Sequence, residues 1–222
     1  MTTWPTDVET RRLLDKAVRE LGEEFSGIHD AATVKRYVDQ AVEMLPNPRF
    51  RDYLPTFARK FARDLLRSAA RWQGRIAAER PQILFVCVHN AGRSQMAAAF
   101  ARHLSEGRVD VLSAGSAPAD GIHANVFAAM REVGIDLSEE FPKLLSDDFV
   151  RASDVVITMG CGDACPVFPG KRYEDWKEED PAVQGIEGVR AVRDSIRRRV
   201  MNLLSGLSAA SRNPAPGGRP GT

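Results

Sequence analysis

The sequence predicts a three-helix bundle over residues 1–80, followed by an α/β domain over residues 81–206 in which a four-stranded parallel sheet is flanked by helices. In the first part, apolar residues recur at helical spacing. After Pro81, short continuous apolar runs alternate with helical patterns, as is typical of parallel strands buried on both faces. Residues 207–222 are small, Pro- and Gly-rich and without periodicity, so this tail is expected to be disordered.

Three amphipathic helices account for the first part. Thr6 or Asp7 caps the first helix, Pro46 stops the second, and the third extends from about Tyr53 to Ala78. No cysteine lies in this part, which favours an accessory module for dimerisation or docking. A cap that only stabilises the second domain is the alternative. The apolar positions include Leu14, Ala17, Val18, Leu21 and Phe25 in the first helix, Val34, Tyr37, Val38, Ala41, Val42 and Leu45 in the second, and Leu54, Phe57, Phe61, Leu65, Trp72 and Ile76 in the third.

Four strands and three helices are predicted in the second part. The strands cover residues 83–86, 109–112, 154–158 and, near the sheet edge, 172–176, and the helices cover residues 95–104, 124–133 and 188–204. Ligands of parallel sheets bind at the carboxyl ends of the strands. Cys87 and Cys161 both follow strands, so this end of the sheet is the expected place of the chemistry.

Composition and charge exclude several functional classes. The 31 lysines and arginines balance 30 acidic residues, and a net charge of +1 gives no argument for nucleic acid or an anionic membrane as partner. No apolar run approaches the roughly 18 residues of a membrane span, and the N-terminus lacks the pattern of a secretory signal. A cytoplasmic location is therefore expected. Three cysteines in that compartment are more often reactive or metal-binding than structural.

The candidate oxyanion site is the loop between the first strand and the following helix. It combines the thiol of Cys87, a glycine-containing turn and Arg93, which together predict a cradle for a tetrahedral oxyanion. Backbone N–H groups and the helix dipole attract the anion, while the arginine adds a planar fork of donors. The same field favours the thiolate form of Cys87, so we expect a nucleophile that faces a bound oxyanion. The predicted anion-binding residues are Val88, His89, Asn90, Ala91, Gly92, Arg93 and Ser94.

Cys161 and Cys165 form a second candidate site directly after the third strand. Gly160, Gly162 and Pro166 indicate a mobile loop rather than a helix or strand there. With three residues between them, the thiols would lie about one turn apart if the loop became helical, and local rearrangement would then allow a disulfide. Half of a zinc site is the alternative, but the sequence offers no second cysteine pair or paired histidines to complete it. Disulfide exchange is favoured, and no metal is expected.

Asp180 is a candidate proton donor. It precedes Pro181 in a polar loop past the fourth strand, where a carboxyl group can protonate a leaving oxygen at the active end of the sheet. Glu178 and Glu179 are equally acidic, and local sequence does not select Asp180 among them. Taken alone, this segment reads as a run of solvated charges.

Together these motifs resemble the low-molecular-weight tyrosine phosphatase family, and within it the arsenate reductases of that fold. The resemblance covers residues 82–205 and is carried by CVHNAGRSQMA at Cys87, SAG at Ser113, TMGCGDACP around Cys161, and EDW with DP near Asp180. Residues 1–80 are similar, in pattern and domain order, to a three-helix dimerisation domain found before such reductases in actinobacteria. The resemblance thus implies a homodimer.

The resemblance also implies a thiol relay. Cys87 would attack arsenate held by the loop amides and Arg93, and Asp180 would assist departure of a hydroxyl or water. Cys161 would then attack Cys87 and release arsenite, and Cys165 would resolve that disulfide into a Cys161–Cys165 bond for thioredoxin to reduce. No cofactor would be tightly bound. Within the same resemblance, the Ser94 hydroxyl would stabilise the thiolate and the Asn90 side chain would hold the loop conformation.

Three alternatives remain at the level of sequence. In related mycothiol-dependent enzymes, which also carry a CGDACP-like loop, an external thiol attacks the Cys87 adduct instead. A phosphotyrosine phosphatase would use Cys87, Arg93 and Asp180 alone, but Ala182 and Val183 stand where such relatives carry aromatic residues. An oxyanion sensor would use the same cradle without turnover, although no helix is basic enough for DNA contact.

Overall fold

The computed structural model describes residues 7–45 and 53–212 of the chain. Three helices come first: α1 (Val8–Glu24), α2 (Ala31–Glu43) and α3 (Leu54–Trp72). Most of the predicted apolar positions are buried, and Leu14, Val38 and Phe61 have no exposed surface. The prediction of three helices is confirmed, but two predicted core positions of the third are not: Trp72 is 43% exposed, and Ile76 lies beyond the end of the helix.

Side-chain caps explain where the first two helices begin. Asp7 accepts a hydrogen bond from the backbone N–H of Thr10 at 2.7 Å, and Asp30 does the same for Thr33 at 2.7 Å. The predicted helix end at Pro46 and the alternative cap Thr6 lie outside the described residues. The third helix ends at Trp72, earlier than the predicted Ala78, because Gly74 takes a left-handed backbone angle (φ 69°) that terminates it.

The second part contains a four-stranded, all-parallel sheet with the strand order β2-β1-β3-β4. The strands are β1 (Gln82–Cys87), β2 (Asp110–Gly115), β3 (Val155–Met159) and β4 (Arg172–Asp175). In the register of the sheet, Cys87 stands beside Gly115 on one side and Met159 on the other. The predicted fold class is confirmed, and the three strand ends meet at one edge.

Four helices accompany the sheet: α4 (Arg93–Ser105), α5 (Ala124–Glu132), α6 (Asp147–Ala152) and α7 (Ile186–Arg212). The short α6 has no counterpart in the prediction, because six residues are too few to show a helical period. The last helix continues to Arg212, past residue 207 where the sequence predicts a disordered tail to begin; residues 213–222 lie outside the described part. No helix within the described ranges is long and apolar enough to cross a membrane.

The two faces of the sheet bury different partners. Leu84, Val86 and Leu112 point toward a core that they share with α1, α2, α3 and α6. The alternate residues Ile83 and Phe85 point toward α4, α5 and α7. The N-terminal helices and α6 therefore pack on the same face of the sheet within one chain.

The contact between the helices and the sheet domain combines apolar burial with a few directional bonds. Phe61 of α3 and Phe149 of α6 pack with ring centroids 5.9 Å apart. Tyr37 and Trp72 both donate to Asp148, at 2.9 and 2.8 Å. Burying a large apolar side chain contributes about 1.5–3 kcal/mol, and a hydrogen bond to a charged group contributes a similar amount, about 1.5–3 kcal/mol, but the buried apolar side chains of this core far outnumber these bonds. Apolar burial is therefore the main stabilising contribution at this contact.

Candidate functional site

The oxyanion loop, residues 87–94, joins the end of β1 to the start of α4. Gly92 is the N-cap residue of α4, and no side chain caps the helix there. The first N–H groups of the helix therefore point toward the loop with the positive end of the helix dipole behind them. This is the arrangement that binds tetrahedral anions.

Most backbone carbonyl groups of the loop accept a hydrogen bond from a residue outside the loop. The pairs are Ser116 N–H to the Cys87 carbonyl (3.2 Å), Ala117 to Val88 (2.9 Å), Ala119 to His89 (2.9 Å), the Gln95 side chain to Asn90 (3.1 Å), and His123 to Ala91 (3.1 Å). Within the described part of the chain, the N–H groups of His89, Ala91 and Gly92 donate to no backbone carbonyl. These N–H groups could therefore donate to an anion in the loop.

Cys87 is almost fully buried and has two hydrogen-bond partners. The Asn90 backbone N–H donates to its sulfur at 3.2 Å, and the Ser94 hydroxyl lies 3.0 Å from the same sulfur. The Asn90 side chain in turn donates to Ser94 at 2.7 Å. The Asn90 N–H therefore faces the sulfur atom directly. These contacts support the roles that the resemblance implies for Ser94 and Asn90.

Asn90 is the most constrained residue of the loop. Its backbone lies in the left-handed region (φ 48°), which is uncommon for a residue with a side chain. Its carboxamide oxygen accepts from the Gln95 side chain at 3.1 Å and from the Lys143 backbone N–H at 2.8 Å. Asn90 is fully buried, so the surrounding contacts hold it in this conformation.

Gly115 lets two backbone segments approach more closely than a side chain would allow. A Cβ at this position would lie 2.5 Å from the Val88 carbonyl oxygen and 2.9 Å from the Asn90 nitrogen. Its own N–H and carbonyl bind Lys143 and Leu145, both at 2.8 Å. The glycine of the SAG motif is thus required for β2 to lie directly beneath the oxyanion loop.

Arg93 and Asp180 lie together at the mouth of the loop. The guanidinium of Arg93 donates to the Asp180 carboxylate at 3.0 Å and to the Glu178 carbonyl at 3.2 Å. The carboxylate of Glu178 instead binds Ser195 and Arg199, and that of Glu179 binds Gln184. The structure therefore separates three acidic residues that local sequence leaves equivalent, since only Asp180 among them directs its carboxylate at the loop arginine.

Cys161 and Cys165 are free thiols and mostly buried, with 7% and 8% exposure. A short 3-10 turn, Gly162–Ala164, joins them, where the sequence indicates a loop without helical structure. Burial raises the pKa of Cys161, and negative charge on Cys87 and Asp175 raises that pKa further. Burial likewise raises the pKa of Cys165 to about 11, with a smaller contribution from Cys161. A negative charge on one thiol would therefore disfavour a negative charge on the next.

The residues of this site match a known family. The model of the family described as low molecular weight phosphotyrosine protein phosphatase matches residues 82–213, more than half of the chain. The chain belongs to this family. A second model, described as the N-terminal domain of protein-tyrosine-phosphatase-like proteins, matches residues 14–70.

Several relatives within the low molecular weight phosphatase family are named as arsenate reductases. A putative arsenate reductase of Halobacterium salinarum is 44% identical over 125 residues, which is 54% of this chain and 88% of that protein. A glutaredoxin arsenate reductase of Synechocystis is 38% identical over 130 residues, covering 57% of this chain and 98% of the relative. Both matches cover little more than half of this chain.

A solved structure extends the similarity to the helices. The thioredoxin-dependent arsenate reductase of Corynebacterium glutamicum superposes with a TM-score of 0.81 at 40% identity, covering 90% of this chain and 98% of that chain. An arginine phosphatase of Geobacillus stearothermophilus, 24% identical with a TM-score of 0.53, shares the fold alone.

The structure brings Asp180 into contact with Arg93 of the oxyanion loop. It also places Cys161 near enough to Cys87 for a charge on Cys87 to raise the pKa of Cys161. Sequence reasoning missed Gln95, Phe141 and Lys143, although their polar atoms position Asn90 or its neighbours. Gln95 directly follows the loop and lies within the motif CVHNAGRSQMA, which was the available signal for it. Lys143 carried no signal, because it contacts Asn90 through a backbone N–H, which a sequence pattern does not show.

Replacement of Gly115 by alanine should weaken anion binding. The added methyl group would overlap two backbone atoms of the oxyanion loop, so the loop must shift. We expect inorganic phosphate to protect Cys87 from iodoacetamide at least about tenfold less well, since a loop displaced by a few tenths of an ångström loses aligned donors. Gly22→Ala in α1 is the matched control, because nothing lies within 4 Å of its added methyl group. Equal protection in both variants would contradict this role of Gly115.

The thiol of Cys165 should resist alkylation until high pH. Burial penalises the thiolate in the folded chain and raises the Cys165 pKa to about 11, so the thiol stays protonated in neutral solution. In the Cys87→Ser/Cys161→Ser variant, iodoacetamide labelling should rise only as the pH approaches that value. The same variant in urea should label with the ordinary thiol pKa of about 8.5. Because this acid has a raised pKa when folded, its contribution to stability is present at neutral pH and lost as the pH rises through about 11. Identical labelling profiles in the folded and unfolded chain would refute the assignment.

Proposed function

We propose that this chain is an arsenate reductase in which Cys87 is the nucleophile. The observation that carries the proposal is the combination of an anion-binding loop with two further free thiols at the same end of the sheet. Hydrolysis of a phosphate ester needs the first feature but has no use for the second. The names of the similar proteins from Halobacterium, Synechocystis and Corynebacterium support the same activity.

The first step forms a bond between sulfur and arsenic. Arsenate lies against the free N–H groups of the loop and the Arg93 guanidinium, and the Cys87 thiolate attacks arsenic. Asp180 supplies a proton to the departing oxygen, which leaves as hydroxide or water. The 3.0 Å contact between Asp180 and Arg93 supports this role, because it holds the carboxyl group beside the anion-binding guanidinium.

The second step transfers two electrons to arsenic. Cys161 attacks the sulfur of Cys87, so that an S–S bond forms as the S–As bond breaks and arsenite departs. Cys165 then attacks Cys161 and frees Cys87, which leaves a Cys161–Cys165 disulfide. Glycines with left-handed backbone angles at 160 and 162 (φ 74° and 54°) support a segment able to change conformation during this exchange.

Thioredoxin is the proposed reductant of the Cys161–Cys165 disulfide, and no tightly bound cofactor is required. The Corynebacterium structure, described as thioredoxin-dependent, supports this choice. We also propose a cytoplasmic location, since a relay that cycles between thiols and disulfide needs a reducing compartment. Recovery of the protein in the cytoplasmic fraction of its cell would test that location.

Replacement of Cys165 by serine should allow a single turnover but prevent repeated turnover. With arsenate and the thioredoxin system, Cys165→Ser should still form about one arsenite per chain and then stop with Cys87 joined to Cys161. Steady-state turnover should fall roughly a hundredfold or more, as expected when a group that forms a covalent intermediate is removed. Arsenite is measured directly, and mass spectrometry identifies the trapped disulfide.

Matched variants distinguish the competing functions. Cys87→Ser should give no arsenite with any reductant. Full thioredoxin turnover in Cys165→Ser would contradict the three-cysteine relay, and turnover with mycothiol in a Cys161→Ser/Cys165→Ser variant would instead support attack by an external thiol. Hydrolysis of an aryl phosphate without arsenite formation would establish the phosphatase alternative.

We further propose that the N-terminal helices form a homodimer through the outer face of α1. Their inner faces are already buried against the sheet domain, so a second copy can contact only the outside. Val8 and Leu13 support this proposal, because both are large apolar side chains of α1 with 81% and 37% exposure that a second copy could cover. Sedimentation equilibrium should give twice the mass of one chain for the wild type and a smaller apparent mass for Leu13→Glu. A wild-type mass of one chain at micromolar concentration would overturn the dimer.

A further inference from the structure

The connecting segment, residues 141–145, lies between α3 and the oxyanion loop and contacts both. On the loop side, the Lys143 backbone N–H donates to the Asn90 side chain at 2.8 Å, and the Phe141 carbonyl accepts from Gln95 at 3.0 Å. On the α3 side, the Lys143 ammonium donates to Asp64 at 2.9 Å. The rings of Phe141 and Phe57 also stack there, with centroids 4.4 Å apart.

We propose that Lys143 is a positioning residue through which α3 holds the oxyanion loop in its anion-binding conformation. The path is short and continuous. The Asp64 carboxylate fixes the ammonium of Lys143, the backbone N–H of the same lysine fixes Asn90, and Asn90 contacts both Ser94 and the Cys87 sulfur. The N-terminal helices thereby take part in shaping the site without touching the anion.

Burial makes the ion pair of Lys143 different from an ordinary surface pair. The lysine side chain is only 5% exposed, whereas that of Asp64 is 32% exposed. A buried ammonium without a partner carries a large desolvation penalty. If Asp64 loses its charge, the ammonium must move toward water, and the backbone of the connecting segment must move with it. The carboxylate, by contrast, stays partly hydrated without its lysine.

Displacement of the connecting segment affects Asn90 directly. The left-handed backbone of Asn90 (φ 48°) persists because its side chain is bound by Lys143, Gln95 and Ser94 together. Losing the Lys143 contact lets this backbone relax, which withdraws the N–H group that donates to the Cys87 sulfur at 3.2 Å. Weaker anion binding and a less stable thiolate should follow together.

A second ion pair between the same elements serves as an internal control. Lys60 of α3 pairs with Glu139 at 2.8 Å, just before the connecting segment, but the Glu139 side chain is 83% exposed. No hydrogen bond of the described residues joins Glu139 to the oxyanion loop. Glu139→Gln therefore removes a similar charge from the same contact without reaching Asn90.

The test uses the full-length chain with Cys161→Ser and Cys165→Ser, which leaves Cys87 as the only thiol. The readouts are the pH profile of Cys87 alkylation by iodoacetamide and the protection given by inorganic phosphate. Asp64→Asn should weaken phosphate protection about fivefold and move the alkylation profile to higher pH. Glu139→Gln should leave both readouts unchanged. Because neither readout involves arsenate or a reductant, the outcome is independent of the proposed reductase activity.

A paired substitution shows whether the unpaired ammonium of Lys143 causes the effects of Asp64→Asn. Replacing both partners, as Asp64→Leu/Lys143→Met, removes the buried charge together with its need for a partner. Both readouts should return to within about twofold of the parent, although Asp64 is still absent. The proposal is overturned if Asp64→Asn changes only the thermal unfolding temperature, if Glu139→Gln has the same effect as Asp64→Asn, or if the paired substitution fails to recover.

Discussion

The N–H groups of the oxyanion loop can face an anion only because the loop carbonyls are bound elsewhere. Each peptide unit directs its donor and its acceptor in opposite directions, and a buried carbonyl without a partner is costly. Residues 116–123 and the side chain of Gln95 supply donors to five successive carbonyls of residues 87–91. The anion site is therefore produced by the segment behind the loop as much as by the loop itself.

The conformation of the oxyanion loop also depends on β2, the connecting segment and α3. Gly115 allows β2 to lie against the loop, and its backbone binds the connecting segment that also holds Asn90. The same segment packs on α3 through Phe57 and Asp64. Since α1, α2 and α3 share one core with the sheet, the N-terminal helices are a structural layer of the domain that carries the site.

The thiols are divided between the two sides of the sheet. Cys87 packs in the core beneath α4, whereas Cys161 and Cys165 pack in the core shared with the N-terminal helices. Burial raises the pKa of both downstream thiols, which favours their protonated form. The Cys87 sulfur instead accepts a hydrogen bond from the Asn90 N–H and lies 3.0 Å from the Ser94 hydroxyl. The three thiols therefore have different surroundings, as the proposed relay would require.

The sequence by itself determined the fold class, most element positions and the oxyanion loop, because these depend on local periodicity and on a contiguous motif. Periodicity predicted the three helices and the parallel strands, and the contiguous motif predicted that Cys87 to Ser94 form one loop. Only the tertiary structure shows that the carboxylate of Asp180, and not those of its acidic neighbours, contacts Arg93. It also decided that the N-terminal helices cover the sheet and reach Asn90 through Lys143, because these contacts join residues far apart in the chain and involve backbone groups that every residue type shares.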